Sequence, residues 1–126
     1  MTIIEFADFQ CGFCARSRET TREILEAYPQ QVRFVYRDFP IEKHPRASQM
    51  AQAANCAREQ DRYWGMYDLL FDNMRDTEDD QLRAHARTLG LDAATFDSCY
   101  ASGRYAAEVA KDMADGEAVG VRGTPA

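Results

Sequence analysis

The feature that most constrains the fold is a pair of cysteines, Cys11 and Cys14, set between a strand and a helix. Residues 2–6 form a short apolar, β-branched segment, which predicts a buried strand. A helical pattern follows the cysteines and ends near Tyr28, and residues 32–36 predict a second strand. The order strand, helix, strand predicts a parallel right-handed crossover, which is the basic unit of an α/β sheet.

A helical block follows this unit. From Pro45 to about Gly116 apolar side chains recur at helical spacing, and we find no convincing strand. Within this region the pair Thr77 and Asp80 predicts a capping box at the start of one helix. Residues 120–126 return to loop chemistry. We therefore predict an α/β unit that is interrupted by a block of helices.

Composition limits the classes of protein to which the chain can belong. With 126 residues, of which 45% are hydrophobic, it can bury one core and has little room for a second. A net charge of −6 argues against nucleic acid and anionic membranes as the main partner. The first residues lack the features of a signal peptide and start almost inside an apolar run, so we interpret the chain as a mature fragment.

The spacing of Cys11 and Cys14 favours redox chemistry. Two cysteines separated by two residues at a helix start can close a small disulfide, and the first sulfur meets unpaired amides and the positive end of the helix dipole. Both effects favour the thiolate, so we expect Cys11 to be the nucleophile. Cys14 lies one turn later and should be the more buried, resolving thiol, which cleaves a mixed disulfide formed at Cys11.

Two other interpretations of this pair stay open. It could be half of a zinc site, although such sites usually carry a second closely spaced pair of ligands. The remaining candidate ligands are scattered singly along the chain: His44, Cys56, His85 and Cys99. The pair could also be two inert thiols. We favour the redox interpretation, and we predict neither a metal nor a cofactor.

Glu5 precedes Cys11 by six residues on the first predicted strand. Because burial raises the pKa of a carboxyl group, Glu5 is suited to carry a proton to or from Cys14. The alternative is a residue at the end of a strand that reaches water. Arg16 and Arg18 could add positive potential near Cys11, but a solvated helix face explains them equally well.

Cys56 and Cys99 are predicted to form a structural disulfide. Cys56 lies away from the apolar face of its own helix, and Cys99 lies near Phe96 on an apolar face. A bond between them would tie two helices of the block together and support an oxidising compartment. Two free thiols are the alternative.

Several separate stretches together resemble the DsbA-like thioredoxin-fold oxidoreductases. They are residues 5–10 with the Cys11-Gly12-Phe13-Cys14 motif, Asp38-Phe39-Pro40 with His44-Pro45, the segment from Tyr63-Trp64 to Phe71, and the segment from Gly120 to Pro125. The resemblance implies an α/β, thioredoxin-like fold with a large α-helical insertion. Residues 1–43 and 103–126 would form the thioredoxin-like domain, and residues 44–102 the insertion.

The same resemblance implies roles for particular residues. In this family a cis-proline faces the active disulfide, and Thr124-Pro125 matches that position. We therefore expect Phe13, Thr124 and Pro125 to bind substrate, with an ordinary trans turn as the alternative for the last two. Glu5 matches the family's buried acid. The loop that carries His44 would border the active groove, without a catalytic role for the imidazole.

The chain departs from the family pattern in two respects. Phe13 cannot supply an imidazolium to the Cys11 thiolate, so we expect a less oxidising centre than in relatives with histidine there. Only two strands are visible, so we expect an incomplete domain, truncated after the cis-proline loop. Strand exchange with another copy of the chain is the alternative to truncation.

The resemblance implies a thiol–disulfide oxidoreductase that acts on cysteine-containing exported proteins. A membrane or soluble protein would recycle it, and it would be periplasmic or otherwise extracytoplasmic. A reductase or isomerase of protein disulfides is one alternative. A redox-inactive, thioredoxin-like module that binds peptides is another.

Overall fold

The computed structural model describes residues 1–126 and contains two strands and six helices. In chain order they are β1 (Thr2–Ala7), α1 (Gly12–Ala27), β2 (Arg33–Asp38), α2 (Ala47–Arg58), α3 (Tyr63–Asp72), α4 (Asp79–Thr88), α5 (Ala93–Ser102) and α6 (Ala106–Ala118). The strands pair in parallel, with Thr2 opposite Arg33 and Ala7 opposite Asp38. The predicted crossover unit and the block of helices after it are confirmed.

Strand β2 continues two residues beyond the predicted end at Tyr36. The two added residues, Arg37 and Asp38, are charged. In the structure helix α6 provides their partners: the Arg37 guanidinium lies 2.7 Å from Asp112, and the Asp38 amide donates to the same carboxylate at 3.1 Å. The ion pair of Arg37 and the hydrogen bond of the Asp38 amide thus attach the end of β2 to helix α6.

The predicted capping box of α4 is wrong by one residue at each position. Glu78, not Thr77, caps the helix, and its amide donates to the side-chain oxygen of Gln81 at 3.0 Å. The longer glutamine side chain can reach back to the cap, whereas Asp80 points into water with its side chain 98% exposed. The helix consequently begins at Asp79.

An aromatic cluster joins the sheet to the helical block and lies under the loop that carries the cysteines. Phe9, from that loop, is 1% exposed. Its ring centroid lies 5.2 Å from that of Tyr36, 6.0 Å from that of Tyr67 and 4.9 Å from that of Phe71. Because strand β2 and helix α3 both contact Phe9, the β1–α1 loop has a fixed base.

Two covalent and polar links organise the helical block. Cys56 of α2 and Cys99 of α5, the pair for which we predict a disulfide, are bonded in the structure, with their Cα atoms 5.9 Å apart. Arg46, just before α2, binds Asp79 of α4 and donates from Nε to the carbonyl oxygen of Thr77 at 2.9 Å. The segment just before α2 is thus attached to α4 and to the residue that precedes its cap.

Helix α6 packs back onto the sheet at Gly116, which is buried. A Cβ atom at this position would lie 2.9 Å from the Phe39 ring and 3.0 Å from the Phe6 ring, so only glycine allows this close approach. The chain then turns through a cis Thr124–Pro125 bond. Ala126 exchanges two backbone hydrogen bonds with Phe6, at 2.8 and 3.0 Å. None of the six helices is long and apolar enough to cross a bilayer.

Candidate redox-active site

Cys11 and Cys14 lie where strand β1 passes into helix α1, and both are free thiols. Cys11 caps the helix: the Cys14 amide donates to Cys11 Sγ at 3.3 Å. The two residues are 5% and 1% exposed, so Cys14 is the more deeply buried. Helix N-termini leave backbone amides without intrahelical partners, and here one of them is directed at the first sulfur.

The Cys14 thiol is held in its protonated form. Burial is the main cause, and the neighbouring Cys11 side chain adds to it; together they raise the pKa of Cys14 to about 12. The Asp8 backbone amide and the Thr124 side chain act in the opposite direction, because they favour the thiolate. Cys14 can therefore attack a mixed disulfide only if a base takes its proton as the attack proceeds.

The cis-proline loop faces Cys11. The thiol of Cys11 donates to the carbonyl oxygen of Thr124 across 3.6 Å, over a sequence separation of 113 residues. Pro125 has no N–H, so the backbone beside the sulfur offers an acceptor without a competing donor. The structure thus brings Cys11, Cys14, Thr124 and Pro125 together.

Phe13 projects into solvent between the two cysteines and is 67% exposed. The Arg16 guanidinium lies 4.4 Å from the centre of its ring, which is a cation–π contact. Of the two arginines considered above, Arg16 thus covers Phe13. Arg18 turns away to helix α3, where it donates to Asp72 at 2.6 Å. The exposed ring beside Cys11 offers an apolar contact to a molecule that approaches the sulfur.

Glu5 is half-buried and contacts helix α1 at Ser17, not at the Cys14 sulfur. The Ser17 hydroxyl lies 3.1 Å from Glu5 Oε2 and 2.9 Å from the carbonyl oxygen of Cys14. Burial raises the pKa of Glu5, and the hydrogen bond with Ser17 lowers it. Glu5 therefore contacts α1 one helical turn beyond Cys14, and no direct hydrogen bond joins its carboxyl group to the Cys14 thiol.

The sequence analysis missed Asp8, which is 2% exposed. Its side chain binds the loop that carries His44, and its backbone carbonyl accepts from the Cys11 amide at 3.1 Å. The only signal in the sequence is a carboxylate within an otherwise apolar run, from Phe6 to Phe9. A buried charge is costly unless it is hydrogen-bonded, so such a position indicates a role.

The structure gives the zinc interpretation no ligand set. Cys56 and Cys99 are bonded to each other, and His44 contacts Asp8. No group of three or more His, Cys, Asp or Glu side chains is arranged to hold a metal ion.

Comparison with known proteins supports the geometry. The sequence model of a thioredoxin family, Thioredoxin_4, matches residues 1–126. A thioredoxin-like oxidoreductase from Silicibacter pomeroyi superimposes with a TM-score of 0.86 at 30% identity, over 98% of this chain and 70% of that one. The thiol–disulfide exchange protein α-DsbA2 from Wolbachia pipientis gives 0.84 at 17% identity, over 98% of this chain and 67% of that one. The second likeness shows the fold.

Curated relatives are larger proteins. The chain is 36% identical over 126 residues to the Na⁺/H⁺ antiporter NhaA 3 of Salinispora tropica. The matched region covers 99% of this chain and 19% of the antiporter. The chain thus spans about a fifth of the length of such relatives. The structural neighbours are DsbA-like thiol–disulfide oxidoreductases, and the chain belongs to the thioredoxin family Thioredoxin_4, with a thioredoxin-like fold that carries a helical insertion.

Proposed function

We propose that this domain exchanges disulfides with cysteine-containing proteins through a mixed disulfide at Cys11. One observation carries the proposal: Cys11 Sγ lies at the start of a helix and 3.6 Å from the carbonyl oxygen beside a cis-proline. An extended polypeptide can pair with backbone at such a position, so its own cysteine would reach Cys11. Cys14, which is the more deeply buried of the two, would resolve the mixed disulfide.

The exchange balances in either direction. When the Cys11–Cys14 disulfide oxidises a substrate, a substrate thiolate attacks Cys11 Sγ and the sulfur of Cys14 leaves with the electron pair. A second substrate thiolate then attacks the substrate sulfur that is bonded to Cys11. The substrate disulfide forms, and Cys11 leaves as a thiolate. In the reverse sequence the Cys11 thiolate attacks a substrate disulfide and releases one substrate thiolate. Cys14 then attacks Cys11 Sγ, which re-forms the Cys11–Cys14 disulfide and releases the second substrate thiolate.

The proton of Cys14 needs an acceptor in this scheme, and Glu5 is the candidate. Its carboxyl group has a pKa raised by burial, which suits it to proton transfer, and it reaches the turn of α1 that carries Cys14 through Ser17. Phe13, Thr124 and Pro125 contact the substrate in this proposal. The exposed ring and the free backbone beside the sulfur support these roles.

We infer an extracytoplasmic location, exported proteins as substrates and a membrane or soluble protein as the recycling partner. The disulfide between Cys56 and Cys99 supports an oxidising compartment. The relatives named as antiporters contain a similar domain as about a fifth of their length. That arrangement supports a module that is attached to a membrane protein.

Replacement of either cysteine of the pair tests the proposal. Cys11→Ser should reduce the exchange of a peptide dithiol to the uncatalysed rate, because it removes the nucleophile. Reduced Cys14→Ser, mixed with the same peptide in its disulfide form, should instead accumulate a mixed disulfide at Cys11, because Cys11 attacks the peptide disulfide and the resolving thiol is missing. Mass spectrometry after acid quenching measures both. The double variant Cys56→Ala and Cys99→Ala is the control, and it should still exchange.

Turnover that survives in Cys11→Ser would contradict the proposal. Peptide binding without any thiol exchange by the unaltered protein would instead indicate a binding module. Equilibration with glutathione buffers gives the potential of the pair, which we expect to be less oxidising than in relatives with histidine in place of Phe13.

A further inference from the structure

The buried carboxylate of Asp8 has no part in the exchange steps above, yet both of its oxygens have hydrogen-bond partners. Its side chain is 0% exposed. It accepts from the backbone amides of Gln10 at 2.7 Å and Ile41 at 2.8 Å, and His44 Nδ1 lies 2.9 Å from its second oxygen. Two of these partners are more than thirty residues away along the chain. The site therefore joins two distant loops.

A further hydrogen bond ties the same two loops together. The Arg46 amide donates to the side-chain oxygen of Gln10 at 2.7 Å. The segment from Ile41 to Arg46 is thus fastened near both ends to residues 8–10, which lead directly into Cys11. Because Asp8 also accepts from the Cys11 amide, one residue fixes both the cysteine and the segment.

This fastened segment forms one side of a cavity beside the cis-proline loop. The cavity has a volume of about 430 Å³. Its lining comes from three stretches of the chain: Phe39, Ile41 and Glu42 after β2, Met113 and Glu117 of α6, and Gly120, Val121 and Arg122 before the cis-proline. The last of these stretches leads within two residues to Thr124, whose carbonyl oxygen faces Cys11 Sγ. A polypeptide that pairs beside Thr124 would therefore lie near this cavity.

We propose that Asp8 is a positioning residue that holds this segment as the wall of a subsite for polypeptide substrates. The inference rests on the proposed function and adds the substrate class: an extended chain with an apolar side chain next to its cysteine. The apolar lining from Phe39, Ile41 and Val121 matches such a side chain. Glutathione, which lacks that side chain, gains little from this wall.

The substitution Asp8→Asn tests the inference at nearly constant volume. An amide presents a donor where the carboxylate had an oxygen, so either the Gln10 amide or the Ile41 amide then faces another donor. The wall loosens as a result. With the oxidised protein and a peptide dithiol that has leucine next to each cysteine, the half-saturating concentration should rise about tenfold. The limiting rate, and the exchange with glutathione, should fall much less.

Two further variants keep the test decisive. Ile41→Ala leaves the backbone bond to Asp8 in place and shortens the wall itself, so it should also raise the half-saturating peptide concentration. It decides the question if Asp8→Asn does not fold. Asp80→Asn is the matched control, because its side chain is 98% exposed and should leave both constants unaltered.

The outcomes separate the inference from the proposed function. An equal loss with peptide and glutathione, or a shifted glutathione equilibrium in Asp8→Asn, would show that Asp8 acts on the cysteines and would overturn the inference. An unaltered peptide constant in both Asp8→Asn and Ile41→Ala would overturn it as well. Failure of the unaltered protein to exchange with either thiol would instead reject the proposed function.

Discussion

The stability gained by replacing Asp38 with asparagine should grow by up to about 4 kcal/mol between pH 4 and pH 8. Asp38 ends strand β2 and is 5% exposed. Asn55 donates to one of its oxygens at 3.2 Å, while the other oxygen is buried without a partner. Burial, and next the nearby Asp112 carboxylate, raise the pKa of Asp38 to about 7.

The direction of this pH dependence follows from proton binding. Between about pH 4 and pH 7 the folded protein keeps the proton of Asp38, whereas the unfolded chain releases it. The folded state therefore loses stability as the pH rises through this window, and above pH 7 the full penalty applies. Asparagine keeps an acceptor for Asn55 and carries no charge at any of these values.

Denaturant unfolding of both proteins at pH 4, 6 and 8 measures the effect. The free energy of unfolding of Asp38→Asn should increase relative to that of the unaltered protein from pH 4 to pH 8, which means that the variant becomes relatively more stable. Asp80→Asn, at an exposed site, should run parallel to the unaltered protein. Parallel curves for Asp38→Asn would refute a raised pKa at this carboxyl group.

Removal of the disulfide between Cys56 and Cys99 should lower the free energy of unfolding by about 4 kcal/mol. The bond closes a loop with a sequence separation of 43 residues, which restricts the unfolded chain. Its sulfur atoms lie in the core of the helical block, where both residues are at most 2% exposed. The double variant Cys56→Ala and Cys99→Ala removes the bond without leaving a free thiol.

The loss should appear in urea unfolding under non-reducing conditions. A strong reductant should bring the unaltered protein down to a similar stability and should hardly affect the double variant. That comparison is the control, because the alanine substitutions also remove buried sulfur atoms. A double variant within 1 kcal/mol of the oxidised protein would show that the bond does not stabilise the fold.

The sequence predicted those parts of the fold that depend on residues close together in the chain. Apolar and β-branched residues predicted β1, and the two close cysteines predicted a helix start at Cys11. Where partners come from far along the chain, prediction was weaker. The end of β2 depends on Asp112, and the contact of Glu5 with Ser17 depends on how α1 lies on the sheet.

Asp8 illustrates the same limit within the site. From its sequence neighbours, Asp8 is only a charged residue in an apolar run. Its partners Ile41 and His44 are more than thirty residues away in the chain and approach it only in the folded structure. The cis-proline loop was predicted through family resemblance, because no local pattern tells that Thr124 will face Cys11. Long-range polar contacts are therefore what the structure adds.

The position of Arg46 has a consequence for protein engineering. Its backbone amide holds Gln10, just before the cysteines, while its guanidinium binds Asp79 in the helical block. A minimal domain that kept Arg46 but excised helices α2 to α5 would release the arginine from Asp79, and with it the segment from Ile41 to Arg46. Grafting this cysteine pair onto a smaller scaffold therefore requires a substitute anchor for that segment, in addition to the motif itself.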